Sequence, residues 1–333
     1  MRVIASQNKI AYLLDNIHHT TCIQAIRYQS NKVLSAVNKN MVSSAVCRIE
    51  TGPISEEARQ IAISELRETE EIVQCGFREL KELLAADSSL YYNTDDEFLR
   101  IFLRPCKYYA KSAYGLMVRI ADYRAKYYDI IGNILPQELK DLAHSANIFN
   151  VLVNRDQKGR RVVICCSKNW DPSKVTTDQL LQMLYMMHLA SMAEPETQVR
   201  GFVVVIDCKD IGMKQIRNFT PSFAVKLLTF LQRALPLRLK EFHIVNNPLI
   251  FNIVWAIVKP LLIQKAKARI FLHGKDITSL HKYLAPTHLP EDFGGYLPKI
   301  WYSGGDWYPS IEEQTEFVKK WNACGRKVEK QES

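Results

Sequence analysis

The sequence contains no C-x-x-C pair; its eight cysteines, at 22, 47, 75, 106, 165, 166, 208 and 324, stand at unrelated spacings. That argues against a zinc site or a disulfide frame and favours reduced thiols in a cytosolic protein. Nor does any apolar run reach the ~18 to 20 uninterrupted residues of a membrane span. The longest, NNPLIFNIVWAIVKPLLIQKAKARI at 246–270, is broken by Asn252, Lys259 and Pro260 and ends in Lys265, Lys267 and Arg269. The N-terminus, MRVIASQNKIAYLLDN, has no apolar h-region, which disfavours a signal peptide; basic and serine residues within 1–50 keep a transit peptide as a minor alternative. No internal repeat or low-complexity segment is present.

Catalytic signatures are missing as well. HGKDITS at 273–279 fails as a phosphate loop twice, because Arg269 stands where a glycine is needed and Asp276 where a hydroxyl is needed. There is no G-x-G-x-x-G after a strand, no G-x-S-x-G elbow and no H-x-x-x-H, so neither a nucleotide enzyme, a serine hydrolase nor a metal enzyme is indicated. We therefore expect no catalytic residues, metal or cofactor.

What is present is ordinary globular composition, 47% hydrophobic and 24% charged, with a net charge of +9 that points to an anionic partner only if it is concentrated in one patch. A helical pattern runs from Ser55, placed to cap, to about Ala86, with Glu56 and Glu57 in the first turn and other glutamates on a solvated face. Thr94 and Glu97 suggest a capping box opening EFLRIFLR, which Pro105 ends, and a third helix is expected from Lys107 to Tyr128. After Pro136, β-branched runs at 151–153, 162–166, 202–206, 242–245 and 270–272 alternate with helical patterns at 176–192, 221–235 and 248–259. That alternation predicts an α/β domain with a mixed, largely parallel sheet. The expected organisation is an unassigned, flexible extension over 1–50, a small helical domain over 51–130, an α/β domain over 136–300, and a charged helix with a frayed tail over 301–333.

Two residues invite a sharper reading. Asp207 ends a strand, where α/β enzymes often keep catalytic groups, but no matched nucleophile or base accompanies it, and a loop-bonding role is expected. His188 lies on an apolar helix beside several methionines, either as a satisfied core histidine or as a polar group inside a ligand cavity.

From about Thr94 to Tyr296 the chain resembles the CRAL-TRIO lipid-carrier family, most closely its α-tocopherol-transfer and retinaldehyde-binding branch. The resemblance rests on FLRPCKYY (102–109), WDP (170–172), ETQVRGFVVVIDCKD (196–210), TPS (220–222), PLRLKEFHIVNNPLIFNIVWAIVKPLL (236–262) and LPEDFGG (289–295), in that order. It implies a helical N-terminal domain followed by an α/β lipid-binding domain whose cavity is closed by a mobile gate helix, here at about 246–269. It places a cavity wall at Leu181, Leu184, His188, Phe202, Phe219, Leu227, Phe230, Leu235 and Leu237. In the tocopherol carrier the positions of Leu184 and His188 carry small hydroxyls, so this chain must hold its ligand's polar end differently, and a retinoid, carotenoid or other long apolar molecule fits as well as tocopherol.

The resemblance also implies a basic cleft for phosphatidylinositol phosphates at Arg238, Lys240, Lys265 and Arg269, with Lys107 substituting beside Cys106 for a fifth basic position. Phe251, Trp255 and Val258 are the candidates for the gate's membrane-facing side. Leu237 stands where the fungal phosphatidylinositol-transfer branch has an acidic residue, which disfavours phosphatidylinositol as cargo. The implied protein is a cytoplasmic carrier that visits endosomal or other phosphoinositide-bearing membranes, with a hydrophobic small molecule as ligand and no nucleic acid or obligate protein partner. The rivals are a lipid-sensing regulatory or scaffold protein with the same cavity and, further off, a phosphatidylinositol transfer protein or a lipid-ester hydrolase.

Overall fold

The structure, a computed structural model, describes residues 46–327. Nearly all of the extension assigned to 1–50 lies outside the described residues, and so does the tail beyond 327. The chain divides into two compact units. The described part of one, Pro286–Ile300, is closed by a bridge between Pro290 and Leu297. The other, Val46–Ala285 with the residues from Trp301 onward, contains everything that follows.

Ser55 opens the first helix: its hydroxyl accepts from the Ala58 amide at 3.1 Å, and Glu56 and Glu57 fill the positive end of the dipole. This helix, α1 (Glu56–Leu66), stops where Arg67 adopts a left-handed φ of 62°, and the chain restarts after Thr69 as α2 (Glu70–Ala86). The single helix expected over 55–86 is therefore two, and Glu70 and Glu71 mark a second N-terminus. A short strand, β1 (Leu90–Tyr91), precedes α3 (Asp96–Leu103). The capping box from Thr94 does not form; Asp95 is the cap residue, its amide held at 2.8 Å by Asn93 Oδ1. The next helix, α4 (Ala110–Lys126), begins later than expected because Lys107 and Tyr108 take φ of 54° and 58°, which a right-handed helix cannot contain.

The α/β part follows as β2 (Phe149–Val151), β3 (Arg161–Cys166), α5 (Thr177–Met192), β4 (Phe202–Asp207), α6 (Pro221–Arg233), β5 (Leu239–Val245), α7 (Phe251–Val258) and β6 (Ile270–Leu272). The strands form one sheet in the order β2-β3-β4-β5-β6, antiparallel at β2–β3 and parallel elsewhere. This is the mixed, largely parallel α/β fold, with β2 two residues earlier than anticipated. Both faces of the central strands are covered, which is why RVVICC and FVVVID read as continuous apolar runs. Gly201 makes the lead into β4 possible: its φ is 81°, and a Cβ there would lie 2.2 Å from the Arg238 carbonyl oxygen. The Thr176–Gln179 capping box does form at α5, with bonds of 2.9 and 3.2 Å.

The C-terminal stretch is more than one charged helix. In α8 (Thr315–Asn322) Val318 and Trp321 are buried, and the Trp321 ring stacks on Phe102 at 5.6 Å. Arg124 donates to the carbonyls of Gly132, Trp321 and Asn322, fastening this helix to α4. Beyond it β7 (Gly325–Arg326) pairs antiparallel with β1.

Candidate functional site

Alternate residues of the sheet face a cavity of about 480 Å³. Its floor is two cross-strand rows fixed by register: Val163, Val204, Phe242 and Ile270 in one, Cys165, Ile206 and Ile244 in the other. One side is a stripe of α5 at four-residue spacing, Leu180, Leu184 and His188; another is the stripe Phe223, Leu227 and Leu231 of α6. The lid is α7, which presents Phe251, Val254, Trp255 and Val258, one face at i, i+3, i+4 and i+7. Pro105, Cys106, Leu116 and Arg119 complete the wall from the helical region. A predominantly apolar hollow of this size is within the range that takes a small hydrophobic molecule.

Of the expected wall residues, Leu184, His188, Phe219, Leu227, Leu235 and Leu237 line the cavity. Leu181 and Phe230 do not; both are packed away from it, Leu181 completely and Phe230 with its ring 5.6 Å from that of His188. Phe202 lines a smaller neighbouring chamber instead and packs against His188 at 5.1 Å. The strand residues of the floor were absent from the sequence reading; the continuous apolar runs 161–166 and 202–207 carry Val163, Cys165, Val204 and Ile206 without an alternation that marks their face.

The three gate residues expected on the membrane side are turned the other way. Phe251, Trp255 and Val258 share the inward stripe with Val254, on the face of the helix that closes the cavity. The outward residues are Leu249, 88% exposed, and Ile253, 49% exposed, continued by Leu261. Among the described residues no helix is long and apolar enough to cross a membrane. The far end of the gate is tied by Gln232 of α6, whose Oε1 accepts from the Ile263 amide at 2.8 Å and whose Nε2 donates to the Leu261 carbonyl at 3.2 Å.

Arg238, Lys265 and Arg269 all line the cavity; Lys240 and Lys107 do not. Lys107 is exposed on its left-handed turn. The cation that joins the group is Arg119, which together with Lys265 offsets part of the burial that pushes the Cys106 thiol up to about 11. Arg119 comes from α4, far away in sequence, and donates to the Arg233 carbonyl at 3.2 Å. The basic residues are not equally available. Glu65 of α1 pairs with Arg238 at 2.5 Å and with Lys240 at 3.2 Å. The hydrogen bond from Arg238 holds the Glu65 carboxyl below its ordinary range, while burial lowers Lys240. Arg269 donates to the Leu239 carbonyl.

His188 is the one uncharged polar group of the α5 stripe. Its Nδ1 lies 2.6 Å from the Leu184 carbonyl, burial lowers its pKa to about 4, and its Nε2 has no partner among the described residues. Asp207 behaves structurally: Oδ1 accepts from the Lys209 amide and from Asn246 Nδ2, both at 2.9 Å. No group of three or more His, Cys, Asp or Glu among the described residues is placed to hold a metal ion.

Residues 146–295 match the model of the CRAL/TRIO domain. Clavesin-2 of Homo sapiens is 31% identical over 261 residues, covering 76% of this chain and 78% of that protein. Clavesin-1 of Mus musculus is 30% identical over 256 residues, covering 76% and 72%. The crystal structure of Sfh5 aligns with a TM-score of 0.44 at 14% identity, covering 70% of this chain and 85% of that one, a likeness on which nothing further is built.

Proposed function

Because the chain belongs to the CRAL/TRIO family, we propose that it is a carrier of a long hydrophobic molecule, tocopherol-, retinoid- or carotenoid-like, which it takes up and releases at phosphoinositide-bearing membranes. The observation that carries this reading is the cavity of about 480 Å³ under α7, apolar on floor, sides and lid. A ligand hiding ~500 Å² of apolar surface there gains on the order of 12 kcal/mol before association costs, so escape into water is very slow. Delivery then needs a membrane that opens the lid. The outward Leu249 and Ile253 supply apolar groups for the bilayer boundary, and Arg119, Arg238, Lys265 and Arg269 supply positive charge for anionic headgroups. Each basic residue near such a surface contributes ~1 kcal/mol. On this reading 51–130 buttress one cavity wall, 136–300 form the lipid-binding domain, and the protein works in the cytoplasm with transient visits to endosomal or similar membranes.

The test is transfer of a fluorescent hydrophobic ligand to vesicles with and without phosphatidylinositol bisphosphate. Replacing Lys265 and Arg269 by alanine is expected to slow transfer to the phosphoinositide vesicles about 30-fold, with ligand binding in solution changed far less than transfer. Equal transfer by variant and wild type would refute the docking role, and failure of the wild type to bind any apolar ligand would refute the carrier.

A further inference from the structure

His188 stands between the large cavity and a much smaller one. The small chamber, about 30 Å³, shares Val163, His188 and Leu237 with the large cavity and is also lined by Trp307. Such a volume admits one or two water-sized groups. Two of its lining residues hold buried polar atoms without partners among the described residues, His188 Nε2 and Trp307 Nε1.

Those two atoms are complementary. The Leu184 carbonyl at 2.6 Å can only accept, so the proton of the His188 ring sits on Nδ1. With its pKa down to about 4 through burial, the ring is neutral near pH 7 and Nε2 is an acceptor. The indole nitrogen of Trp307 can only donate. The other polar groups of the chamber are matched within the protein: Arg161 with Glu194 at 2.5 Å, Ser310 Oγ with the Ile49 amide at 2.7 Å, and Ser191 Oγ with the Met187 carbonyl at 2.8 Å. What remains without any partner among the described residues is one acceptor and one donor, the two roles that a single hydroxyl group combines.

We propose that the small chamber is the head-group end of the ligand site and selects a long apolar molecule ending in a hydroxyl, an alcohol or phenol, whose O–H donates to His188 Nε2 and whose oxygen accepts from Trp307 Nε1. The inference rests on the carrier reading above. An aldehyde, ether or ester of the same tail offers no donor, leaves the imidazole acceptor unmet and binds more weakly.

The full chain is titrated with hexadecanol, hexadecyl methyl ether and hexadecanal, and with all-trans-retinol, its methyl ether and all-trans-retinaldehyde, following quenching of tryptophan fluorescence. The alcohol is expected to bind about tenfold more tightly than the ether or aldehyde of the same tail. His188→Leu and Trp307→Phe should each narrow that preference to about twofold or less while ether binding persists, which also shows that the variants are folded. Equal affinity of alcohol and ether for the wild-type protein, as a water held between the two nitrogens would produce, overturns the inference and leaves the carrier intact. An alcohol preference that survives both substitutions overturns it too. If no probe with any head binds, the carrier reading falls and the inference falls with it.

Discussion

The sheet wall and the gate wall of the cavity are equally greasy but are held by different means. The sheet wall is built from alternate residues of four strands, in unbroken register beyond a shift at the start of β4, with a covered second face behind it. The gate wall is an eight-residue helix with no side-chain cap, ended at Pro260 and tied at its far end by the amide of one glutamine. Its own Ile253 and the preceding Leu249 face outward. The difference teaches that one apolar hollow can have a permanent side and a removable one, because hydrophobic burial is non-directional whereas strand pairing is not.

The comparison breaks if the two sides respond alike to truncation. Ile244→Ala, on the sheet wall and 4% exposed, should cost about 2–5 kcal/mol in chemical denaturation. Leu249→Ala should stay within about 0.5 kcal/mol. Similar losses would mean that the gate is as integral to the folded state as the strands. A double change, Leu249→Asp with Ile253→Asp, should leave the denaturation curve in place yet lower adsorption to anionic vesicles by at least about tenfold, since each apolar group loses its gain at the bilayer boundary. Undiminished adsorption would remove the gate's outer face from the docking surface.

A sharper test concerns the tie itself. Gln232→Leu keeps the bulk but deletes the bonds to Ile263 and Leu261. At about 1 kcal/mol for a net hydrogen bond, the gate should open about tenfold more often. The readouts are ligand release to acceptor vesicles and hydrogen exchange at the Ile263 amide, with exchange in β4 unaffected. An unchanged release rate would show that opening hinges elsewhere.

How much of this was legible in the chain follows from where periodicity ends. The apolar runs 161–166 and 202–207 contain part of the cavity floor, and the spacing of Phe251, Val254, Trp255 and Val258 contains the inner face of the gate. Spacing says that residues share a stripe but not which way the stripe turns, and Phe251, Trp255 and Val258 were accordingly expected on the wrong side. Leu181 was indistinguishable from Leu184 because α5 is apolar almost all round, as TDQLLQMLYMMHLASM shows. Arg119 at the basic rim, and the pairing of β1 with β7, depend on contacts between distant segments that no local pattern records. The break at Arg67 left a trace only in the Thr-Glu-Glu that restarts the helix.

The smallest effect expected here lies at the junction of the rigid and movable parts. Glu65, half exposed, holds Arg238 and Lys240 with the carboxylate that a lipid phosphate would have to displace. Glu65→Gln should therefore strengthen binding to phosphoinositide vesicles by no more than about fivefold, because an exposed pair of this kind is worth below about 1 kcal/mol. The pH dependence fixes the sign. A carboxyl whose folded pKa lies below its unfolded value contributes its stabilisation above the unfolded pKa and loses it as pH falls through the folded one. Between pH 7 and 5 Glu65 thus stays ionised, and the advantage of the glutamine variant should be constant. Only below the ordinary glutamate range should wild type and variant converge. An advantage that already shrinks between pH 7 and 6 would assign the competition to a different group, and no advantage at any pH would mean that Arg238 and Lys240 take no part in docking.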